Sequence, residues 1–295
     1  MRIGEGELTY EVVLGWGRSA SGMDLGQAPG VTKVNIKGVA VDSQDRVYLI
    51  NRGESRQVLI FDKDGEFITS VGEGVLADPH GICVGPDNRV YVVDRETHVV
   101  VCLSAEGRVQ LTLGNMNRPS PKQSGTPFNL PTGVTLSSEG DIYISDGYGN
   151  STIHKYSSTG SLNFSWGGQG IHPGQFNVPH GICVDAEDRV YVADRENNRV
   201  QVFDEEGDFI KQWQDLTGPS DVAVDKDGNL YVSELAGHRV SVLSYGGDVL
   251  ARWDSGSEGT NQFLAPHGIC VDSLGSVYLC GVGEGKRVLK FVRKS

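Results

Sequence analysis

The pentapeptide Pro-His-Gly-Ile-Cys occurs three times in the chain and places His80, His180 and His267 in identical local settings. Three imidazoles and one open position make the ligand set of a catalytic zinc centre, whereas a closed structural site needs a fourth protein ligand. Imidazole also suits other late first-row metals, so zinc is favoured over them rather than required. Arg52, Arg95 and Arg195 recur with similar regularity, each directly after an apolar run that ends in Asn or Asp. Guanidinium groups pair with carboxylates in bidentate fashion, so these three near a divalent cation point to a small anionic, carboxylate-bearing substrate. Tyr148, in "SDGYGN", is a candidate general base, because a cation and arginines beside a phenol lower its pKa. Simpler readings stand beside these. The histidines could be a repeat consensus that hydrogen-bonds at a strand start, the arginines could be ion pairs between turns, and Tyr148 could cover a sheet edge.

Repetition is what can bring these residues together. Six copies of one unit begin near Lys37, His80, Thr132, His180, Ser220 and His267. Each reads as four short alternating strands punctuated by turn residues, which is one propeller blade. The expectation is an all-β, six-bladed β-propeller forming a single domain over residues 1–295. The sixth copy runs out at "RVLKFVRKS", its third strand, while "LTYEVVLGWG" (residues 8–17) resembles the fourth strands "LNFSWGGQG" and "FIKQWQ". The N-terminal strand is therefore expected to complete the last blade and remove an open edge. A solenoid would call for distinct capping repeats, which the sequence does not show.

In a propeller the first strand of each blade lines the central channel. The loop entering that strand and the loop leaving the second strand share one face. The entry column holds Lys37, His80, Thr132, His180, Ser220 and His267, with His in blades 2, 4 and 6 only. Alternate blades lie about 120° apart, so three imidazoles can meet one ion on the axis. The exit stretches are 51–53, 94–96, 146–148, 194–196, 234–236 and 281–283, with Tyr148 set opposite Glu96 and Glu196. His98 and His238 share a turn column with Asn198, and His154 and His172 read as surface or loop positions. The segment "NMNRPSPKQSGTPFNLP" between blades 2 and 3 is long for a propeller connection and reads as a substrate lid or as a plain surface insertion.

Composition narrows the classes further. The net charge is −12, with no basic stripe, which argues against a nucleic-acid partner. No apolar run approaches the roughly 18–20 residues of a membrane span, so no membrane partner is expected. "MRIGEGELTYEVVLGWG" has no apolar h-region of a signal peptide. The five cysteines sit in apolar runs and read as free thiols in a reducing compartment, so a cytoplasmic protein is expected.

At these residues the chain resembles the peptidyl-α-hydroxyglycine α-amidating lyase family of NHL-repeat propellers. The matching segments, in order along nearly the whole chain, are "NRG" at 51–53, "DPHGI" around His80, "ISDGYGNS" around Tyr148, "PGQFNVPH" ending at His180, "VADRENNRVQVF" around Arg195, and "PHGI" at His267. The resemblance implies that His80, His180 and His267 hold zinc, that Tyr148 is the catalytic tyrosine, and that Arg52 and Arg195 are active-site arginines. It implies cleavage of a carbinolamide C–N bond to an amide and glyoxylate. It also associates a structural calcium with an acid directly after the third His, where this chain has Gly268, so that site is not expected to be kept. The family's disulfides are missing, and Arg95 has no identified counterpart in the animal enzymes; it is a candidate for a second anionic group of the substrate. No monooxygenase accompanies the matched segments, so the substrate need not be a peptide. Two other classes remain open. A gluconolactonase-type hydrolase would rely mainly on carboxylate and Asn ligands, and a non-enzymatic NHL interaction module would need no convergent histidines.

Overall fold

Each repeat carries apolar residues on both faces of its second and third strands, so those strands must be covered from two sides. In the computed structural model, which describes residues 2–5, 8–13, 15–17, 34–55, 57–254, 265–282 and 288–294, they are. The second strands Val47–Asn51, Val90–Asp94, Ile142–Asp146, Val190–Asp194 and Leu230–Glu234 are buried along their length. They are sandwiched between neighbouring blades and pack into clusters such as the one joining Tyr91, Val93 and Val100 to Val134, Ile142 and Ile144. The fourth strands, at the rim, carry the polar residues. The result is six antiparallel sheets of a six-bladed propeller, with blades 1 to 5 running inward to outward in chain order.

The sixth blade combines the two chain ends. Leu8–Val13 pairs antiparallel with Val288–Arg293, with Val12 opposite Phe291. A fifth strand, Arg2–Glu5, lies outside it and was not legible as a strand in the sequence. Leu14, within the closing segment 8–17, and Gly283, within the last exit stretch, lie outside the described residues.

Turn chemistry fixes the strand order within a blade. Asp42, Asp185, Asp225 and Asp272 end inner strands, and one carboxylate oxygen of each accepts two turn N–H groups, as Asp185 does from Glu187 and Arg189 at 3.0 Å. The other oxygen takes the hydroxyl of Tyr48, Tyr191, Tyr231 or Tyr278 from the second strand. This is an Asx-type turn locked by the "V-Y" pair of the repeat. A second lock concerns the site directly. In blades 1 to 5 the polar residue ending the second strand accepts N–H groups from the segment entering the inner strand of its own blade. Asp94 takes Ala77 and Asp78 at 2.7 Å, Asp146 takes Asn129 at 3.0 Å, and Asp194 takes Asn177 at 2.7 Å. Entry loop and exit turn are thereby tied together on one face.

Candidate metal centre

The inner strands Pro79–Val84, Pro179–Val184 and Pro266–Val271 each present their His at the channel mouth. The three side chains are buried, with ring centroids 4.9–5.2 Å apart. Among the described residues they form the one group of three His, Cys, Asp or Glu whose ligand atoms converge, all within 4.8 Å of one another. Their orientation comes from the neighbouring blade. His80 Nδ1–H donates to Thr132 O at 2.8 Å, His180 Nδ1–H to Ser220 O at 2.7 Å, and His267 Nδ1–H to Lys37 O at 2.8 Å. The acceptors are the entry-column residues of blades 3, 5 and 1. With Nδ1 protonated and engaged, Nε2 carries the lone pair toward the axis, as a metal-ligating histidine requires.

Glycine makes this approach possible. A Cβ on Gly81 would lie 2.6 Å from Thr132 O, the carbonyl that holds His80, and one on Gly133 would lie 2.7 Å from His180 O. Burial and the mutual presence of the imidazoles hold His80 and His180 well below the usual 6.5, and burial brings His267 down to about 4. All three are neutral at neutral pH, which is the ligating form. Three neutral imidazoles with Nε2 unprotonated fit a zinc ion or a comparable late first-row metal.

Above them stands Tyr148. Its hydroxyl lies 3.0 Å from His180 Nε2 and 3.3 Å from His80 Nε2, and it accepts Arg195 Nη1 at 3.3 Å. The guanidinium groups of Arg95 and Arg195 flank its ring at 5.6 and 5.3 Å from the centroid. The structure corrects the alignment of this residue. Arg95 N donates to Asp78 O, Arg195 N to Val178 O, and Tyr148 N to Leu130 O. Tyr148 thus occupies the arginine column, not the Glu96 and Glu196 column. Gly147 is the extra residue that allows it, since a Cβ there would lie 1.9 Å from Pro179 O. Leu235 and Val282 fill the same column in blades 5 and 6. The column is therefore arginine in blades 1, 2 and 4, tyrosine in blade 3 and apolar in blades 5 and 6.

Three residues were missed. Asp78 binds Arg52 with one carboxylate oxygen and Arg95 Nε with the other, at 2.8 Å for Arg95. Arg95 also meets Glu96 at 2.7 Å, so both its neighbours are acids. The signal was "DPHG" against "VPHG" and "APHG" in the sister copies. Asp221 is the one carboxylate lining the channel cavity that the three histidines cap, among the described residues. It accepts the N–H groups of Val222 at 3.0 Å and Ile269 at 3.1 Å, and no cationic side chain pairs with it among the described residues. It stands where every other copy has the column glycine. Gly268 offers no carboxylate, so the calcium-holding acid implied by the resemblance does not fit this chain at that position. Asn150, the third, is taken up below.

The remaining histidines divide. His98 and His238 adopt left-handed turns with φ 59° and 50°, as does Asn198 at 54°. His98 and His238 accept the N–H of Leu130 and Ala265 in the next blade's entry, each at 3.1 Å. His172 is exposed. His154 is not at the surface: it is fully buried in Thr152–Tyr156, with Nε2 3.3 Å from Asp146 and Nδ1 2.7 Å from Ser165 Oγ. Its polar neighbours made it look exposed, but it substitutes for Gln201 and Ser241, which contact the equivalent acids of blades 4 and 5. All five cysteines are free, and Cys102, Cys270 and Cys280 are buried.

Known proteins resemble this chain in repeat, sequence and fold. The NHL repeat matches residues 76–103, 128–156, 176–203 and 216–243, which are blades 2 to 5. The rat peptidylglycine alpha-amidating monooxygenase is 32% identical over 210 residues, covering 59% of this chain and 21% of that protein. The Drosophila melanogaster peptidyl-alpha-hydroxyglycine alpha-amidating lyase 1 is 33% identical over 144 residues, covering 45% of this chain and 26% of the relative. The chain thus spans about a fifth to a quarter of the length of these relatives. Among solved structures, a gluconolactonase from Xanthomonas campestris superposes with a TM-score of 0.68 at 15% identity, over 99% of this chain and 97% of that one, which is a likeness of fold. No helix among the described residues is long and apolar enough to cross a membrane. The chain is a six-bladed β-propeller with four recognisable NHL repeats, similar over 45–59% of its length to amidating lyases and monooxygenases.

Proposed function

We propose that the protein is a metal-dependent carbon–nitrogen lyase that cleaves an α-hydroxyglycine-type carboxylate into an amide and glyoxylate. The observation that carries this reading is the Tyr148 hydroxyl, held between two histidine Nε2 atoms and Arg195. A zinc ion on His80, His180 and His267 would supply Lewis acidity to the substrate hydroxyl. Arg195 and Arg52 hold the substrate carboxylate beside that hydroxyl. Tyr148 Oη, as the phenolate, receives the hydroxyl proton, the C–O bond becomes the carbonyl of glyoxylate, and the C–N electron pair leaves with nitrogen. The same tyrosine returns the proton to the departing amide, so the step is redox-neutral. Arg95, drawn to Asp78 and Glu96, orients Arg52 through the shared Asp78 more readily than it binds a second anion. The five free thiols favour a reducing compartment such as the cytoplasm.

The test is glyoxylate release from α-hydroxyglycine derivatives and ureidoglycolate by protein whose metal has been measured. Turnover of at least one substrate is expected. A metal-loaded protein inactive on the whole series removes the chemistry and leaves the metal centre. A gluconolactonase-like hydrolase would then be the next candidate, and aldonolactone hydrolysis its check.

A further inference from the structure

The segment between blades 2 and 3 is bound to the turn that carries Tyr148 along its length. Tyr148 N donates to Leu130 O at 3.4 Å, and Gln123 N donates to Gly149 O at 2.8 Å. Gly149 leaves no room for a side chain, because a Cβ would lie 2.3 Å from Asn129 Oδ1. Asn129 in turn donates to Ser120 O at 2.7 Å, closing the segment on itself.

Asn150 is the node of this arrangement. It is 1% exposed. Its amide nitrogen donates to Ser120 Oγ at 3.1 Å, Thr126 O at 2.8 Å and Asp146 Oδ2 at 2.6 Å. Its carbonyl oxygen accepts Ser124 N at 3.1 Å. The Asp146 contact ties the node to the end of a second strand, and the other three tie it to the inserted segment. The turn of blade 4 has a smaller version of this clamp, in which Asn197 donates to Gly170 O at 2.9 Å and to Asp194 Oδ2 at 2.8 Å. The column residues of blades 2 and 4 are arginines, whose long side chains reach neighbouring acids. A rigid phenol has no such latitude: its hydroxyl position follows from where the backbone puts Cα.

We propose that Asn150 is a positioning residue, which joins the 115–131 segment to the Tyr148 turn and so fixes the phenol above His80 and His180. The segment is then a buttress for the tyrosine and not a lid. This inference rests on the proposed function only in supposing that the Tyr148 hydroxyl takes part in turnover.

The experiment compares the wild type with Asn150→Ala, Ser120→Ala, Tyr148→Phe and the double variant Asn150→Ala/Tyr148→Phe, all metal-loaded. Misplacing a reacting group by about 1 Å costs about a hundredfold, so Asn150→Ala should lower kcat by that order with KM and metal content little changed. Ser120→Ala removes one acceptor from the node and should fall between it and the wild type; it also serves if Asn150→Ala does not fold. In the Tyr148→Phe background the Asn150 substitution should have almost no further effect, because the two act as one unit. An equal loss in both backgrounds, or an unchanged kcat, overturns the proposal. If the wild type turns over no substrate, the cobalt-substituted proteins decide independently of activity. The visible spectrum of Asn150→Ala should move toward that of Tyr148→Phe, and an unmoved spectrum overturns the inference while a wild type that binds no cobalt overturns both readings.

Discussion

In blades 2, 4 and 6 the entry column of the inner strand is His, and its side chain reaches the channel axis. In blades 1, 3 and 5 the same column is Lys37, Thr132 and Ser220, and the backbone carbonyl is what matters: it holds Nδ1 of the preceding blade's histidine. One backbone position thus serves alternately to present an imidazole and to orient the imidazole of the preceding blade. The lesson is that the odd blades help build the candidate metal centre through backbone carbonyls alone. A carbonyl behind the imidazole fixes tautomer and ring orientation together.

Removing a ligand breaks the even half outright. His80→Ala, His180→Ala and His267→Ala should each lose bound transition metal and turnover, measured by elemental analysis of the purified protein and by glyoxylate release; full metal content in all three would sink the centre. Tyr148→Phe comes next. It should keep its metal and lose turnover by about 10²- to 10⁴-fold, the range for removing a general acid–base group. Loss of metal in this variant would make Tyr148 a ligand instead.

The odd half can be disturbed without touching a ligand. Gly81→Ala drives a Cβ against Thr132 O at 2.6 Å and Gly133 Cα at 2.8 Å, and both are backbone. It should push blade 3 away from His80 and weaken metal affinity by about 10- to 100-fold, as loss of a ligand's supporting hydrogen bond does. At Gly38 the nearest atoms, His80 O and Ile50 Cδ1, are 3.1 Å away, so Gly38→Ala should cost no more than about threefold in the same competition titration against a chelator. Equal effects at the two glycines would mean that the carbonyl support is unimportant.

The mildest effect falls on the odd blade that departs from the glycine column. Burial lifts the Asp221 carboxyl from 3.8 to about 7. The folded protein then binds this proton more tightly than the unfolded chain. Its contribution to stability is highest at low pH, declines as pH rises from about 4 through 7, and stays lost above that. Asp221→Asn should therefore gain on the wild type in urea unfolding at pH 8 relative to about pH 4.5, with a chelator present. A difference that does not change with pH would show that the carboxylate is compensated in the folded state.

Much of this was legible in the sequence because a repeat multiplies weak local signals. Six copies of an alternating pattern fix strand number and order, and rotation about one axis turns a shared column into a ring. That is how His80, His180 and His267 could be brought to one point without coordinates. Tyr148 was legible as a candidate, but its column was misread, because a single inserted glycine shifts the count by one and only the bond to Leu130 O restores it. His154 was misplaced because a polar residue in a rim-facing blade looks exposed until its acid, Asp146, is found eight residues away.

What the sequence determined by itself is the periodic part: the propeller, its closure through residues 8–13, and the alternation of His with other residues around the mouth. Local propensity and pattern suffice for these, since each blade repeats the same short-range rules. What only the tertiary structure decided is the cross-blade part. It includes the carbonyl behind each imidazole, Asp78 shared between Arg52 and Arg95, Asp221 in the channel, and Asn150 clamping the Tyr148 turn. These contacts join segments of different blades or an irregular insertion to a turn. No periodicity records them, because they depend on how closely neighbouring sheets approach, and that distance is set by side chains packed between them.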